Sequence, residues 1–318
     1  MLPMLAAIAL GSTAVTSLTL YLLLISAAAY AGGSSIAFLS LGHRRMQVLL
    51  SVTGGIMLGV GLLHLLPHAY FELSRQINLT MVWVLVGFFL MFLLERAFHG
   101  HAHHSADGSH AGHDHDSSPA CGGHDHGHPA QASAAGRSGP WAWCGAFAGL
   151  ALHSLADGAA LAASVGADAD HGAGVLAGFA TFLAVVLHKP FDAGIIATLM
   201  INSNASAGTR RLVNAAYAII VPLGALLFLG SLQLFGDNQG AVLGAALAMA
   251  AGAFLCIAAA DLLPEVEFHS HDRLLLTASL TLGIAIAWGI TVMERSSHAH
   301  AAHAAQESKA RPAADEHP

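Results

Sequence analysis

Eight stretches of mostly apolar residues, near 18–41, 46–70, 79–98, 141–166, 173–201, 210–232, 238–264 and 272–293, dominate this chain. Each reaches the roughly 20 residues that one helix needs to cross a bilayer. Hydrocarbon offers no partner for backbone N–H and C=O groups, so runs of this length span it as helices. The expected fold is an all-α polytopic membrane protein with about eight transmembrane helices. Charge agrees: Asp, Glu, Lys and Arg make up 10% of the chain, against roughly 25% in soluble proteins. Twelve of those charges sit in segments 99–139 and 294–318, and the rest cannot clothe a water-facing surface. The formal net charge is −7 and no basic patch exists, which argues against nucleic acid as a partner and for the lipid bilayer. Cys121, Cys144 and Cys256 are far apart and form no CxxC, so neither a disulfide framework nor a thiolate zinc site is expected.

The organisation read from these runs is spans 1–3 over 1–98, a disordered cytoplasmic histidine-rich loop over 99–139, spans 4–8 over 140–294, and a disordered tail over 295–318. Residues 1–17 are apolar but contain Pro3 and Gly11-Ser12-Thr13 and lack a basic n-region. They are read as an extension of the first helix rather than a signal peptide. Loops after spans 1, 3, 5 and 7 hold Arg44, Arg45, Arg96, Arg137, Arg210, Arg211 and Arg273. The opposite side has Arg75, then an acidic Asp168/Asp170 loop and an Asp237 loop with no basic residue. The positive-inside rule turns the first set toward the cytoplasm and both termini outward, in a plasma (inner) membrane.

Span 2 ends in GGIMLGVGLLHLLPHA and span 7 in AAGAFLCIAAADLLPEV. At an offset of 197, His64 matches Asp261, Leu65-Leu66-Pro67 matches Leu262-Leu263-Pro264, and Gly55 matches Gly252. Weak similarity between oppositely directed spans is the sign of an inverted repeat, although helices ending in Leu-Leu-Pro also arise by chance. The spacings Gly55/Gly59, Gly145/Gly149 and Gly174/Gly178 suit close helix contact and say nothing about substrate.

Ionisable groups deep in a span carry the functional information, because an Asp, Lys or Arg there costs at least ~2.5–3.5 kcal/mol to insert. Span 4 places His153 and Asp157 far inside the membrane; span 5 does the same with His188, Lys189 and Asp192. Each His–Asp pair is four residues apart, hence one turn apart on one helix face. Two adjacent helices can then present two imidazoles and two carboxylates at one depth. That donor set suits Zn²⁺, and Fe²⁺ or other first-row divalent ions also fit. Pro190 removes a backbone donor inside span 5 and frees a carbonyl beside the site. The alternative is an ion-pair network that merely holds two helices together.

HSLADG on span 4 followed by HK on span 5 resembles the paired signature of the ZIP (Zrt/Irt-like) metal transporters. HLLPHA on span 2, GAFLCIAAADLLPE on span 7 and the histidine-rich loop after span 3 extend the resemblance over most of the chain. It implies a ZIP-like helix bundle that carries zinc or a related divalent metal toward the cytoplasm. It also implies His153, Asp157, His188 and Asp192 as primary ligands. The sequence departs from the commonest pattern: Ser154 stands where Asn is usual, Lys189 where an acidic residue often completes a second metal, and Pro190 comes one residue early. An ammonium at Lys189 can take the place of a second cation, so one transported metal is expected rather than a binuclear centre. A plain salt bridge from Lys189 to Asp192 is the simpler account, and the two are compatible.

His64 and His68 share a face of span 2 near its outer end, where a relay role competes with that of ordinary interfacial histidines. Asp261 and Glu265 share a face near the inner end of span 7 and suit an exit relay. Ten histidines lie between His99 and His128, including His113, His115, His124, His126 and His128. A tract of this kind reads as metal binding, for capture or sensing on the cytoplasmic face, without being required for transport.

Two rivals stand against import. A zinc exporter of the cation-diffusion-facilitator type pairs similar motifs but has six spans and a soluble C-terminal domain. An intramembrane zinc hydrolase needs a general base apart from its ligands, and no H-E-x-x-H is present. The expected protein is thus a transporter, not an enzyme, with zinc as substrate and iron, manganese or cadmium as alternatives. Whether it works as a homodimer is left open.

Overall fold

A computed structural model of the protein describes residues 12–35, 43–103, 142–170, 176–268 and 273–310. Among them every regular element is helical. Eight helices are long and apolar enough to cross a membrane: α1 Ser12–Ser35, α2 Arg44–Glu72, α3 Ile77–His103, α4 Ala142–Asp170, α5 Phe179–Asn202, α6 Ala207–Leu232, α7 Gln239–Phe268 and α8 Arg273–Ala310. They follow the eight runs read from the sequence. The first, α1, takes in Ser12–Ser17 as well, and the expected boundary at 41 lies outside the described residues.

Burial sorts the helices into an inner and an outer set. Half or more of the spanning stretch is buried in α2, α4, α5 and α7, against 17–39% in α1, α3, α6 and α8. The outer set exposes large apolar side chains such as Leu23, Leu85, Phe89, Leu227 and Trp288. A contiguous apolar exterior of that kind suits lipid rather than water.

The closest helix pairings are α1 with α5, α2 with α8, α3 with α7, and α4 with α6. Exchanging α1 with α6, α2 with α7, α3 with α8 and α4 with α5 returns the same four pairs, as an inverted repeat requires. Two glycines matched by the sequence offset make equivalent contacts. A Cβ on Gly55 of α2 would lie 2.3 Å from the Leu280 carbonyl of α8. One on Gly252 of α7 would lie 2.0 Å from the Val84 carbonyl of α3. Both positions therefore require glycine for the backbones to touch.

Two local features depart from a regular helix. Within α2 the turn Gly61–Leu65 is π-helical, with the Leu66 N–H bonded to the Gly61 carbonyl. Pro67 follows; it has no N–H for the Leu63 carbonyl and crowds it, and the widened turn absorbs that mismatch. α8 continues to Ala310, so residues 295–310 are helical where a disordered tail was expected from 295 onward. The reason is composition: the stretch is rich in alanine, the best helix former, and Pro312 is its first breaker. α3 likewise runs to His103, into the expected loop.

Candidate metal site

α4 and α5 bring the two His–Asp pairs together. One ligand atom from each of His153, Asp157, His188 and Asp192 lies within 4.8 Å of all the others. Asp157 Oδ2 is 3.3 Å from Nε2 of both His153 and His188. Asp192 Oδ2 is 3.7 Å and 3.8 Å from the same two nitrogens. Two ligands held 2.0–2.2 Å from one tetrahedral ion lie about 3.3–3.6 Å apart, so the cluster has nearly the spacing of a mononuclear site. Both histidines and Asp157 are buried, while Asp192 is partly open. His188 Nδ1 donates to the Ala184 carbonyl at 2.8 Å, which fixes the ring and aims Nε2 at the carboxylates. His153 Nδ1 is buried with no hydrogen-bond partner among the described residues.

Lys189 completes the electrostatics. Its ammonium bonds to Asp157 and, at 3.0 Å, to Asp192, contacting the same Oδ2 atoms that face the imidazoles. The side chain is fully buried. Two carboxylates and one ammonium leave the cluster net negative, which is what a divalent cation meets. The ammonium therefore competes with such an ion for its oxygens. Ser154 is not among the ligand atoms. Its Oγ lies 2.7 Å from the Leu150 carbonyl and 2.9 Å from the Tyr217 hydroxyl. Tyr217 of α6 in turn donates to Asp192 at 3.2 Å.

A second cluster forms between α2 and α4. His64 Nε2 is 3.6 Å from Asp168 Oδ2, and His68 Nε2 is 3.4 Å from Asp168 Oδ1. Asp168 was read as part of an acidic loop, but it belongs to α4 and is 1% exposed. Ala160 and Leu161 of α4 and Ala184 and Val185 of α5, none more than 2% exposed, lie in sequence between the residues of the two clusters. On the other side of the first cluster a cavity of about 360 Å³ is lined by Tyr30, Ser34, Ala193, Met200, Arg210 and Tyr217, among others. Tyr217 joins the two, since it lines this cavity and donates to Asp192.

Sequence reasoning missed Tyr217 and Asp168. Asp168 lies eleven residues beyond Asp157, three turns along the same face, so the spacing was available once the span was read to its full length. Nothing in the sequence pairs α6 with the ligand helices, and Tyr217 could not be found that way. Asp261, Glu265, His113, His115, His124, His126 and His128 lie outside the residues whose side chains are described.

A bundle of membrane-spanning helices that buries imidazoles, carboxylates and an ammonium at its centre defines an integral multi-pass membrane protein with a metal-type donor set. The sequence matches the family described as ZIP Zinc transporter over residues 2–294, nearly the whole chain, and the chain belongs to that family. It is a divalent-metal transporter by membership, and the family consists of transporters rather than enzymes. No curated protein matches the chain.

Proposed function

We propose that this protein moves zinc into the cytoplasm one ion at a time, through a site made by His153, Asp157, His188 and Asp192. The carrying observation is the ligand spacing: two imidazoles and two carboxylates on facing helices, all within 4.8 Å. Lys189 bonds to both carboxylates and so takes the role of a second cation, which favours a single transported metal. The ammonium also limits affinity, because it leaves a bound divalent ion in a cluster of net positive charge, from which release is easier.

Direction is read from asymmetry. The apolar layer Ala160, Leu161, Ala184 and Val185 closes the site toward the Asp168 end of α4. The cavity beside Tyr217 lies on the other side, lined by Arg210 and Arg211. Basic loops face the cytoplasm by the positive-inside rule, so this arrangement corresponds to an inward-open state with both termini outside, in a plasma (inner) membrane. Asp261, Glu265 and the loop histidines would lie on the exit side.

The test is radiozinc uptake into cells expressing the protein, with iron, manganese and cadmium as competitors. Time-dependent accumulation, abolished by Asp157→Ala at equal expression, is the expected result. Zinc resistance with reduced accumulation would instead assign export. A tightly retained zinc with peptide hydrolysis and no flux would assign an intramembrane hydrolase.

A further inference from the structure

We infer that His64, His68 and Asp168 form a second divalent-cation site, distinct from the cluster on α4 and α5. The three residues come from the distorted turn and following helix of α2 and from the far end of α4. One ligand atom from each lies within 4.8 Å of the others. The two His–Asp separations, 3.4 Å and 3.6 Å, are long for direct N–H···O bonds, which cluster near 2.9–3.0 Å. They do match the separation of about 3.3–3.6 Å between two ligands of one tetrahedral ion. His64 and Asp168 are almost fully buried, while His68 is 21% exposed, so the cluster is reached from one side.

A purely structural account explains only part of this. Asp168 Oδ2 accepts the Gly178 N–H at 2.7 Å, tying the start of α5 to the end of α4. That bond uses one oxygen and needs neither histidine. His64 sits on the π-helical turn, an irregularity that concentrates at functional positions. Its Nε2 is also 3.1 Å from Ser164 Oγ, which accepts from Thr181 Oγ1 at 2.9 Å.

Placement gives the site its role. Ser164 and Asp168 lie seven and eleven residues beyond Asp157, on the same face of α4 and ~10 Å and ~16 Å along its axis. Thr181 precedes His188 by seven residues on α5, again on the same face. A column of polar groups thus points from the second cluster toward the first, interrupted by the buried apolar layer. Three protein ligands leave a fourth position open for water or an incoming group, the arrangement of an exchangeable rather than a structural ion. The second cluster receives a borderline divalent ion such as Zn²⁺ or Cd²⁺ at the mouth, before the layer opens; this antechamber role rests on the transport reading, whereas binding does not.

The test reads position 68 itself, which keeps the histidine-rich loop from confusing the result. In the full chain with Cys121, Cys144 and Cys256 changed to serine, His68→Cys is introduced and its maleimide labelling is timed with and without Cd²⁺. Labelling slowed about tenfold or more by Cd²⁺ is expected from a thiolate, imidazole and carboxylate set. Adding Asp168→Asn, which can still accept the Gly178 N–H, or His64→Gln should remove most of that protection. Asp157→Ala should leave it intact. No protection, or protection indifferent to both second changes, overturns the site. Protection lost with Asp157→Ala overturns its independence. None of these outcomes touches the uptake test, so this inference and the transport reading fail separately.

Discussion

Tyr217 on α6 donates a hydrogen bond to Asp192 on α5 at 3.2 Å, and its ring faces the Lys189 ammonium at 5.9 Å from the centroid. It also lines the cavity beside the site. One side chain therefore bonds to a cluster carboxylate, contacts its counter-ion and borders the cavity. Tyr217→Phe keeps the ring and removes the hydroxyl. Asp192 then loses a neutral donor worth about 0.5–1.5 kcal/mol, so zinc uptake should change by roughly three- to tenfold at unchanged protein level. Equal uptake by the variant and the parent would remove Tyr217 from the mechanism.

The two carboxylates should differ in what their loss does. Asp157 is 1% exposed, bonds to Lys189 and lies 3.3 Å from both imidazoles. Asp157→Ala leaves a buried ammonium with one partner, and breaking a buried ion pair costs roughly 3–5 kcal/mol. It should lower both uptake and thermal stability in detergent. Asp192 is 14% exposed, and Asp192→Ala should abolish uptake with a smaller fall in melting temperature. Paired uptake and melting measurements check the order.

Lys189→Gln removes the cation that competes for the Asp oxygens. Apparent zinc affinity should rise by roughly tenfold or more, while maximal uptake falls because the ion leaves more slowly. Concentration dependence of initial rates separates the two effects. Lower affinity with unchanged maximal rate would contradict the role given to Lys189.

Acid should weaken transport through the ligands themselves. Imidazole binds metal only when neutral, so protons compete with zinc at His153 and His188. Between about pH 7.5 and 5.5 the apparent affinity should fall by roughly tenfold for each imidazole that must shed a proton. Uptake measured in pH-clamped vesicles over a range of zinc concentrations tests the sign.

Helix contact makes a prediction unrelated to chemistry. A Cβ at Gly252 would sit 2.0 Å from the Val84 carbonyl, whereas one at Gly230 meets nothing within 4 Å. Gly252→Ala should destabilise the protein by about 1–3 kcal/mol through overpacking, with a lower melting temperature. Gly230→Ala should be neutral or slightly stabilising, since alanine favours helix.

By itself the sequence determined the eight crossings and the two His–Asp pairs, because length, hydropathy and a four-residue spacing are local properties of a helix. The departure at Lys189 was legible for the same reason: an ammonium next to His188 in an apolar run demands an anion. What the tertiary structure decided is which helices meet. The contact of α6 with α5 brings Tyr217 to Asp192, and the meeting of α2 and α4 side chains turns Asp168 from an apparent loop residue into the partner of His64 and His68. Those relationships join residues 25, 104 and 100 positions apart. No local pattern encodes them, because each joins side chains on different helices.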